Sequence, residues 1–123
     1  MTKTLFTNAR LIDPVGLTDT LGAILIENGK ISAVYDAAPD LTGPEIVDCQ
    51  GKCLAPGIID IGVKVSEPGE RHKESFRSAG RAAASGGVTT IVTRPDTLPA
   101  IDTPETLEFV ERRAQQDAPV HVL

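Results

Sequence analysis

Residues 57–65 read Gly-Ile-Ile-Asp-Ile-Gly-Val-Lys-Val, and residues 82–93 read Ala-Ala-Ala-Ser-Gly-Gly-Val-Thr-Thr-Ile-Val-Thr. The first stretch is a nearly continuous apolar run, which is typical of a strand covered on both faces of a sheet. The second joins the end of a helix to a β-branched strand, and Gly86-Gly87 between them provides the left-handed residue that ends a helix. This alternation predicts a parallel α/β sheet or barrel.

The same alternation continues to the end of the sequence. A helix is predicted from about Ser75 to Ser85. Thr103-Pro104-Glu105 has the N-cap, first-turn proline and acidic first turn of a second helix, which runs to about Gln116. Residues 120–123 then predict the start of a third strand.

The number of βα units bears on whether the sequence is complete. A (β/α)₈ barrel takes roughly 250 residues, so residues 57–123 have room for two βα units and the start of a third. The sequence is either a fragment of a longer protein or an unusual small α/β domain. We favour the fragment, because an open parallel sheet of two or three strands would leave edges and one face uncovered.

The first half has a different rhythm, with short strands separated by turns, and predicts an all-β subdomain over residues 1–56. Asn28-Gly29 lies between two apolar runs and predicts a hairpin with a type I′ turn, because both central residues of that turn need positive φ. Gln50-Gly51 is expected to turn the next pair. The predicted strands are Thr4–Asp13, Ala23–Glu27, Lys30–Tyr35, Glu45–Cys49 and Cys53–Ala55.

Composition and charge exclude several classes of protein. The formal net charge is −5 and the twelve basic residues are scattered, so neither nucleic acid nor an anionic membrane surface is an expected partner. No apolar stretch approaches the ~20 residues that span a bilayer, which predicts a soluble, cytoplasmic protein. Cys49 and Cys53 have neither redox nor zinc-site spacing, and we expect buried or half-buried reduced thiols.

Five short motifs follow one another from the end of the β-rich half into the βα units. They are LAPGIID at 54–60, EPG at 67–69, KES at 73–75, AAASGGVTT at 82–90 and PDT at 95–97. Together they resemble the opening barrel segment of dihydroorotases, members of the amidohydrolase superfamily. The resemblance implies a small β-sandwich built from both chain ends, followed by a zinc-dependent (β/α)₈ barrel. It also implies interconversion of N-carbamoyl-aspartate and dihydroorotate in pyrimidine synthesis.

The sequence departs from the family pattern at the metal site. In the family the first barrel strand ends in Asp-x-His-x-His, whose two imidazoles bind zinc, whereas Gly62 and Lys64 stand at these two positions after Asp60. Alternate residues of a strand share one face, so positions 60, 62 and 64 are expected to point together into the barrel mouth. Glycine offers no ligand and an ammonium offers no lone pair, so no metal is expected in this chain.

The resemblance also implies a substrate pocket that includes Asp60, Ser66 and Asp96, and the last two of these positions differ from the family. Ser66 matches a family arginine that binds the substrate carboxylate, and Asp96 matches an asparagine, so the pocket loses a cation and gains an anion. Lys64 and Arg94 could compensate in part. Lys64 either pairs with Asp60 or Asp96 in place of the metal charge or is simply solvated.

The two histidines give no clear substitute for the missing ligands. His72 lies in a charged loop and is interpreted as a surface residue, and His121 lies in the last strand without an assigned role.

Three hypotheses for function follow from the resemblance. The first is a catalytically inactive, dihydroorotase-like structural partner of aspartate transcarbamoylase in a homo-oligomer or hetero-oligomer, because noncatalytic chains of this kind are known in the family. The second is an active metal-dependent cyclic amidohydrolase that hydrolyses the dihydroorotate ring with ligands outside this chain. The third is an excised fragment without an independent function.

Overall fold

The chain divides into two compact units between Pro56 and Gly57. The structure is a computed structural model and describes residues 2–123. Each unit has its own hydrophobic cluster.

The first unit is a five-stranded sheet in the order β3-β2-β1-β4, with β5 also paired to β1. The β1–β2 and β2–β3 pairs are antiparallel. Asn28 and Gly29 link β2 to β3 with φ values of 52° and 77°, so the hairpin predicted from this dipeptide is confirmed. The strands are β1 (Lys3–Asp13), β2 (Thr18–Glu27), β3 (Lys30–Tyr35), β4 (Glu45–Asp48) and β5 (Cys53–Leu54).

The turn at Gln50-Gly51 exists, but it does not form a hairpin. Gln50 and Gly51 both have positive φ, as the prediction required. However, β4 and β5 on either side each pair in parallel with β1 and not with each other. The amide N–H of Gly51 instead donates to the Asn8 carbonyl oxygen in β1, at 2.7 Å. The expectation that this dipeptide turns the next pair was therefore wrong about the partner, which lies far back in the sequence.

The second unit is the predicted alternation of strand and helix. Its three strands are parallel, in the order β6-β7-β8. The Ser75 and Thr103 side chains accept from backbone amides three residues later and so begin the two helices, and Gly87 takes the left-handed φ of 81° after the first helix. The elements are β6 (Ile58–Val63), α1 (Phe76–Ser85), β7 (Val88–Thr93), α2 (Pro104–Asp117) and β8 (His121–Val122).

The core of the second unit lies between the sheet and the two helices. It comprises Val65, Phe76, Ala79, Ile91, Val110 and Ala114. By contrast, the three isoleucines of β6 are exposed, with Ile61 at 78%. The expectation that β6 is covered on both faces is wrong for residues 2–123, because no other part of these residues packs over the three isoleucines.

The two cysteines are free. Cys49 is half-buried as expected, but Cys53 is exposed, because β5 is a two-residue strand at the margin of the sheet. Neither helix formed within residues 2–123 is long and apolar enough to cross a membrane.

Candidate functional site at the ends of β6 and β7

The carboxyl ends of β6 and β7 lie side by side, because the two strands are parallel neighbours. Catalytic and binding residues of parallel α/β proteins collect at this edge. Residues 64–75 follow β6 and residues 94–103 follow β7. Gly69 allows the two loops to touch, since a Cβ there would lie 1.9 Å from the carbonyl oxygen of Leu98.

Gly62 forms a bulge at the end of β6. Ile61 pairs with Val92 and Val63 pairs with the next residue, Thr93, so Gly62 is an extra residue in the strand. Its φ is 86°, in the left-handed region that glycine adopts without strain. The expectation that positions 60, 62 and 64 share one face assumed an unbroken strand and is corrected here, because a bulge shifts the alternation of side chains by one residue.

Lys64, Arg94 and Asp96 form what we call the mouth cluster. Lys64 Nζ and Arg94 Nη2 each donate to the same oxygen, Asp96 Oδ2, at 3.0 Å. The hydrogen bond from Lys64 and the nearby charge of Arg94 lower the pKa of Asp96 below its ordinary value. All three side chains are exposed, at 41–54%. The structure therefore brings together three residues named from the sequence, and Lys64 contacts Asp96 and not Asp60.

The remaining residues named from the sequence lie apart from this cluster. Asp60 is exposed in β6, and Ser66 is half-buried, with its carbonyl oxygen accepting from the Glu70 amide. Their suggested place in a substrate pocket stays a prediction. His72 is exposed in the loop after β6, and His121 is exposed in β8.

Sequence reasoning missed a second, more buried group of charges around Glu67. The Glu67 side chain is 4% exposed; its Oε2 accepts from the Phe76 amide at 3.2 Å and its Oε1 accepts from Arg113 Nε at 2.9 Å. Arg113 also donates to Asp117, one helical turn further along α2, at 2.5 Å. The hydrogen bond that Arg113 donates to Glu67 raises the pKa of the Arg113 guanidinium. The group anchors the loop after β6 to both helices.

The sequence indicated one of the two ion pairs of Arg113 but not the other. Arg113 and Asp117 have the i, i+4 spacing of a helical ion pair, but Glu67 lies 46 residues before Arg113. Pairing over that distance becomes visible only once α2 is packed on the sheet.

The residues at this edge do not fit the zinc ion that the family resemblance implies. Gly62 offers no ligand atom, and the Lys64 ammonium donates to Asp96 and has no lone pair for a metal. Within residues 2–123, no three His, Cys, Asp or Glu side chains are grouped so that they could hold a metal ion.

Comparison of the sequence with known proteins identifies the family of this chain. Residues 51–123 match the family model described as Dihydro-orotase-like. Over 121 residues the chain is 41% identical to a dihydroorotase of Wolbachia sp. subsp. Drosophila simulans (strain wRi). The matched region covers 98% of this chain and 27% of that protein. It is also 41% identical over 114 residues to a dihydroorotase of Endomicrobium trichonymphae, covering 93% of this chain and 26% of that protein. The chain thus spans about a quarter of these relatives' length.

Solved structures agree on the fold. An L-hydantoinase (dihydropyrimidinase) from Arthrobacter aurescens superposes with a TM-score of 0.85 and 27% identity, over 99% of this chain and 27% of that one. A D-hydantoinase superposes with a TM-score of 0.78 over 98% of this chain and 26% of that one, and its 24% identity supports the fold alone. The predicted architecture, a β-rich part followed by the first βα units of a (β/α)₈ barrel, is confirmed.

Proposed function

The chain belongs to the dihydro-orotase-like family, and we propose that it is part of a catalytically inactive member that acts as a structural partner of aspartate transcarbamoylase in the cytoplasm. One observation carries the loss of catalysis. Where the family pattern has a metal-binding histidine, the Lys64 ammonium donates to Asp96 at 3.0 Å. In this family, hydrolysis of a cyclic amide depends on a water that a metal ion activates. The residues at these positions offer no ligand for that metal.

The changes around this position agree with the same proposal. Gly62 removes a second ligand, and Ser66 replaces the arginine that would bind a substrate carboxylate. Lys64 and Arg94 both pair with Asp96, so its carboxylate is not free to hold a metal or to accept a hydrogen bond from a substrate. These residues disfavour the metal, and the loss of the arginine at position 66 removes a contact to the substrate carboxylate.

The role as a partner rests on the family, in which noncatalytic chains accompany aspartate transcarbamoylase in pyrimidine synthesis. Such a chain keeps the fold of the enzyme while its catalytic residues change. This pattern matches a chain that is 41% identical to a dihydroorotase and carries a glycine and a lysine at the two ligand positions.

The second candidate is an active cyclic amidohydrolase, such as a dihydroorotase, with its metal held by ligands outside residues 2–123. The 41% identity to two proteins named dihydroorotase favours it. The two candidates differ in metal content. An inactive partner carries almost no zinc and has no turnover, whereas an active hydrolase carries stoichiometric metal.

The test is elemental analysis of the purified full-length protein, together with a dihydroorotate hydrolysis assay with and without added zinc. We expect less than about 0.1 equivalents of zinc and no turnover, because structural and catalytic zinc sites normally bind stoichiometrically. The dihydroorotase of Endomicrobium trichonymphae, prepared in parallel, is the positive control. Near-stoichiometric metal with turnover that a chelator removes would establish the second candidate instead.

The partner is tested separately by co-expression with the aspartate transcarbamoylase of the same organism. We expect the two chains to elute together in size-exclusion chromatography and the transcarbamoylase to lose assembly or thermal stability when it is purified alone. Independent elution at micromolar concentration would refute the partnership and leave the metal result standing.

A further inference from the structure

The bulge at Gly62 lies two residues before Lys64, which belongs to the mouth cluster. The bulge inserts one residue between the pairs Ile61–Val92 and Val63–Thr93, and so shifts the alternation of side chains at Val63, the last residue of β6. Because the φ of Gly62 is 86°, a histidine at this position would be strained even though open space surrounds its Cβ. The backbone itself is therefore unsuited to a ligand pair spaced by two.

Beyond the bulge, backbone and side chains tie the two strand ends together. The Arg94 amide donates to the Val63 carbonyl oxygen at 2.9 Å, which places the start of the β7 loop against the end of β6. The Lys64 and Arg94 side chains reach Asp96 from the first residue after β6 and the first residue after β7, and they share one carboxylate oxygen. Two cations surround one anion, so the mouth cluster carries a net positive charge.

That charge opposes a divalent cation at the same place. A metal held near Asp96 would face the ammonium and the guanidinium that already occupy its Oδ2 atom, and like charges at close range repel even in a solvated site. Binding zinc would require Lys64 and Arg94 to leave and the bulge to straighten. Returning both histidines removes the Lys64 ammonium, but Arg94 still pairs with Asp96 and position 62 still needs a left-handed backbone.

We propose that Gly62, Lys64, Arg94 and Asp96 form a metal-independent replacement for the family's zinc position, in which the left-handed bulge and the Arg94 guanidinium on Asp96 exclude a metal even when the two histidines are put back. The inference rests on the noncatalytic part of the proposed function and is independent of the transcarbamoylase. Lys64 acts here as a positioning residue that holds the loop after β7 through Asp96.

The first experiment is to return both histidines in the full-length protein, as Gly62→His with Lys64→His, and to measure zinc after dialysis against excess zinc chloride. We expect less than about 0.1 equivalents of zinc and no zinc-dependent rise in the thermal midpoint. One bound equivalent with a raised midpoint would overturn the inference. Zinc bound by the wild type would instead refute the noncatalytic proposal, so the two failures are distinguishable.

A second experiment does not depend on the histidine variant folding. In Lys64→Met, hydrogen exchange measured by mass spectrometry should be about two- to fivefold faster in peptides covering residues 94–102, because the loop loses a contact from β6. Lys3→Met is the matched control, since Lys3 pairs with Glu27 at similar exposure in the first unit, and it should leave these peptides unchanged. Identical exchange in Lys64→Met and wild type would overturn the positioning role.

Discussion

Asp96 is the residue on which the charges at the ends of β6 and β7 converge. Its Oδ2 atom accepts from both Lys64 and Arg94, although the two donors follow different strands. The pKa of Asp96 lies below its ordinary value of 3.8, first because of the hydrogen bond from Lys64 and also because of the charge of Arg94. Protonation of this single carboxyl would remove the centre of the mouth cluster.

Replacing Lys64 with methionine is expected to raise the pKa of Asp96 toward 3.8, because the largest cause of its lowering disappears. An NMR titration of the Asp96 carboxyl carbon measures the change. Lys3→Met, which removes the partner of Glu27, should raise the pKa of Glu27 and leave that of Asp96 unchanged. An unaltered Asp96 titration in Lys64→Met would contradict the geometry of the mouth cluster.

The same shift fixes the pH range in which the mouth cluster stabilises the protein. A carboxyl whose folded-state pKa is depressed adds stability above its unfolded pKa, and this contribution is lost as the pH falls through the folded-state pKa. We therefore expect the stability difference between wild type and Lys64→Met to be present at neutral pH. It should shrink on acidification below about pH 4.

Within β6, the bulge at Gly62 can be tested through the backbone alone. Gly62→Ala is expected to lower the free energy of unfolding by about 1 kcal/mol, because alanine is strained at positive φ. The added Cβ meets nothing within 4 Å, so the cost reports backbone strain and not a clash. Urea denaturation of the purified protein measures it.

Gly86→Ala is the matched control for that measurement. Gly86 ends α1 with a φ of −92°, and a Cβ there would lie at an ordinary 3.5 Å from its nearest neighbour. Alanine at 86 should therefore be neutral or slightly stabilising, since it restricts the unfolded chain without strain. Equal stability of the two variants would mean that β6 has no left-handed bulge.

Turns and helix starts were predictable where a residue type determines the local conformation of the backbone. Asn28-Gly29 specified a hairpin through positive φ, and Ser75 and Thr103 specified helix starts through their side-chain oxygens. The bulge was not predictable, because glycine within an apolar strand is compatible with a regular strand as well. Nor did Gln50-Gly51 indicate that the strands around it pair with β1, since a turn sequence specifies a bend and not a partner.

Across the second unit as a whole, Glu67 links the loop after β6 to both helices. Glu67→Gln is expected to lower the free energy of unfolding by about 2 kcal/mol, because the buried charge-assisted hydrogen bonds are lost and Arg113 keeps only Asp117 as a carboxylate partner. Thermal or urea unfolding measures the loss. Glu70→Gln is the control: the pair of Glu70 with Lys73 is more exposed, so this change should alter stability little. Equal losses would show that the Glu67 group is only a surface network.

The candidate site as a whole was predictable in position but not in detail. The motif spacing located Gly62, Lys64 and Asp96 at one edge of a parallel sheet, and two alternatives for the partner of Lys64 were open until the structure showed Asp96. The Glu67 group was not predictable from the sequence, because the ion pair of Glu67 with Arg113 joins residues 46 positions apart. Side-chain pairing at long range depends on how the helices pack, which periodicity does not determine.

The arrangement of the first sheet has a consequence for the order of folding. The β1–β2 and β2–β3 pairs join neighbours through short turns, whereas β4 and β5 must return across the unit to reach β1. Closing a long loop costs chain entropy before any contact is gained, so the three-stranded meander is expected to form first and the two parallel strands to add late. During synthesis on the ribosome, β1 therefore presents an unpaired edge until β4 has emerged.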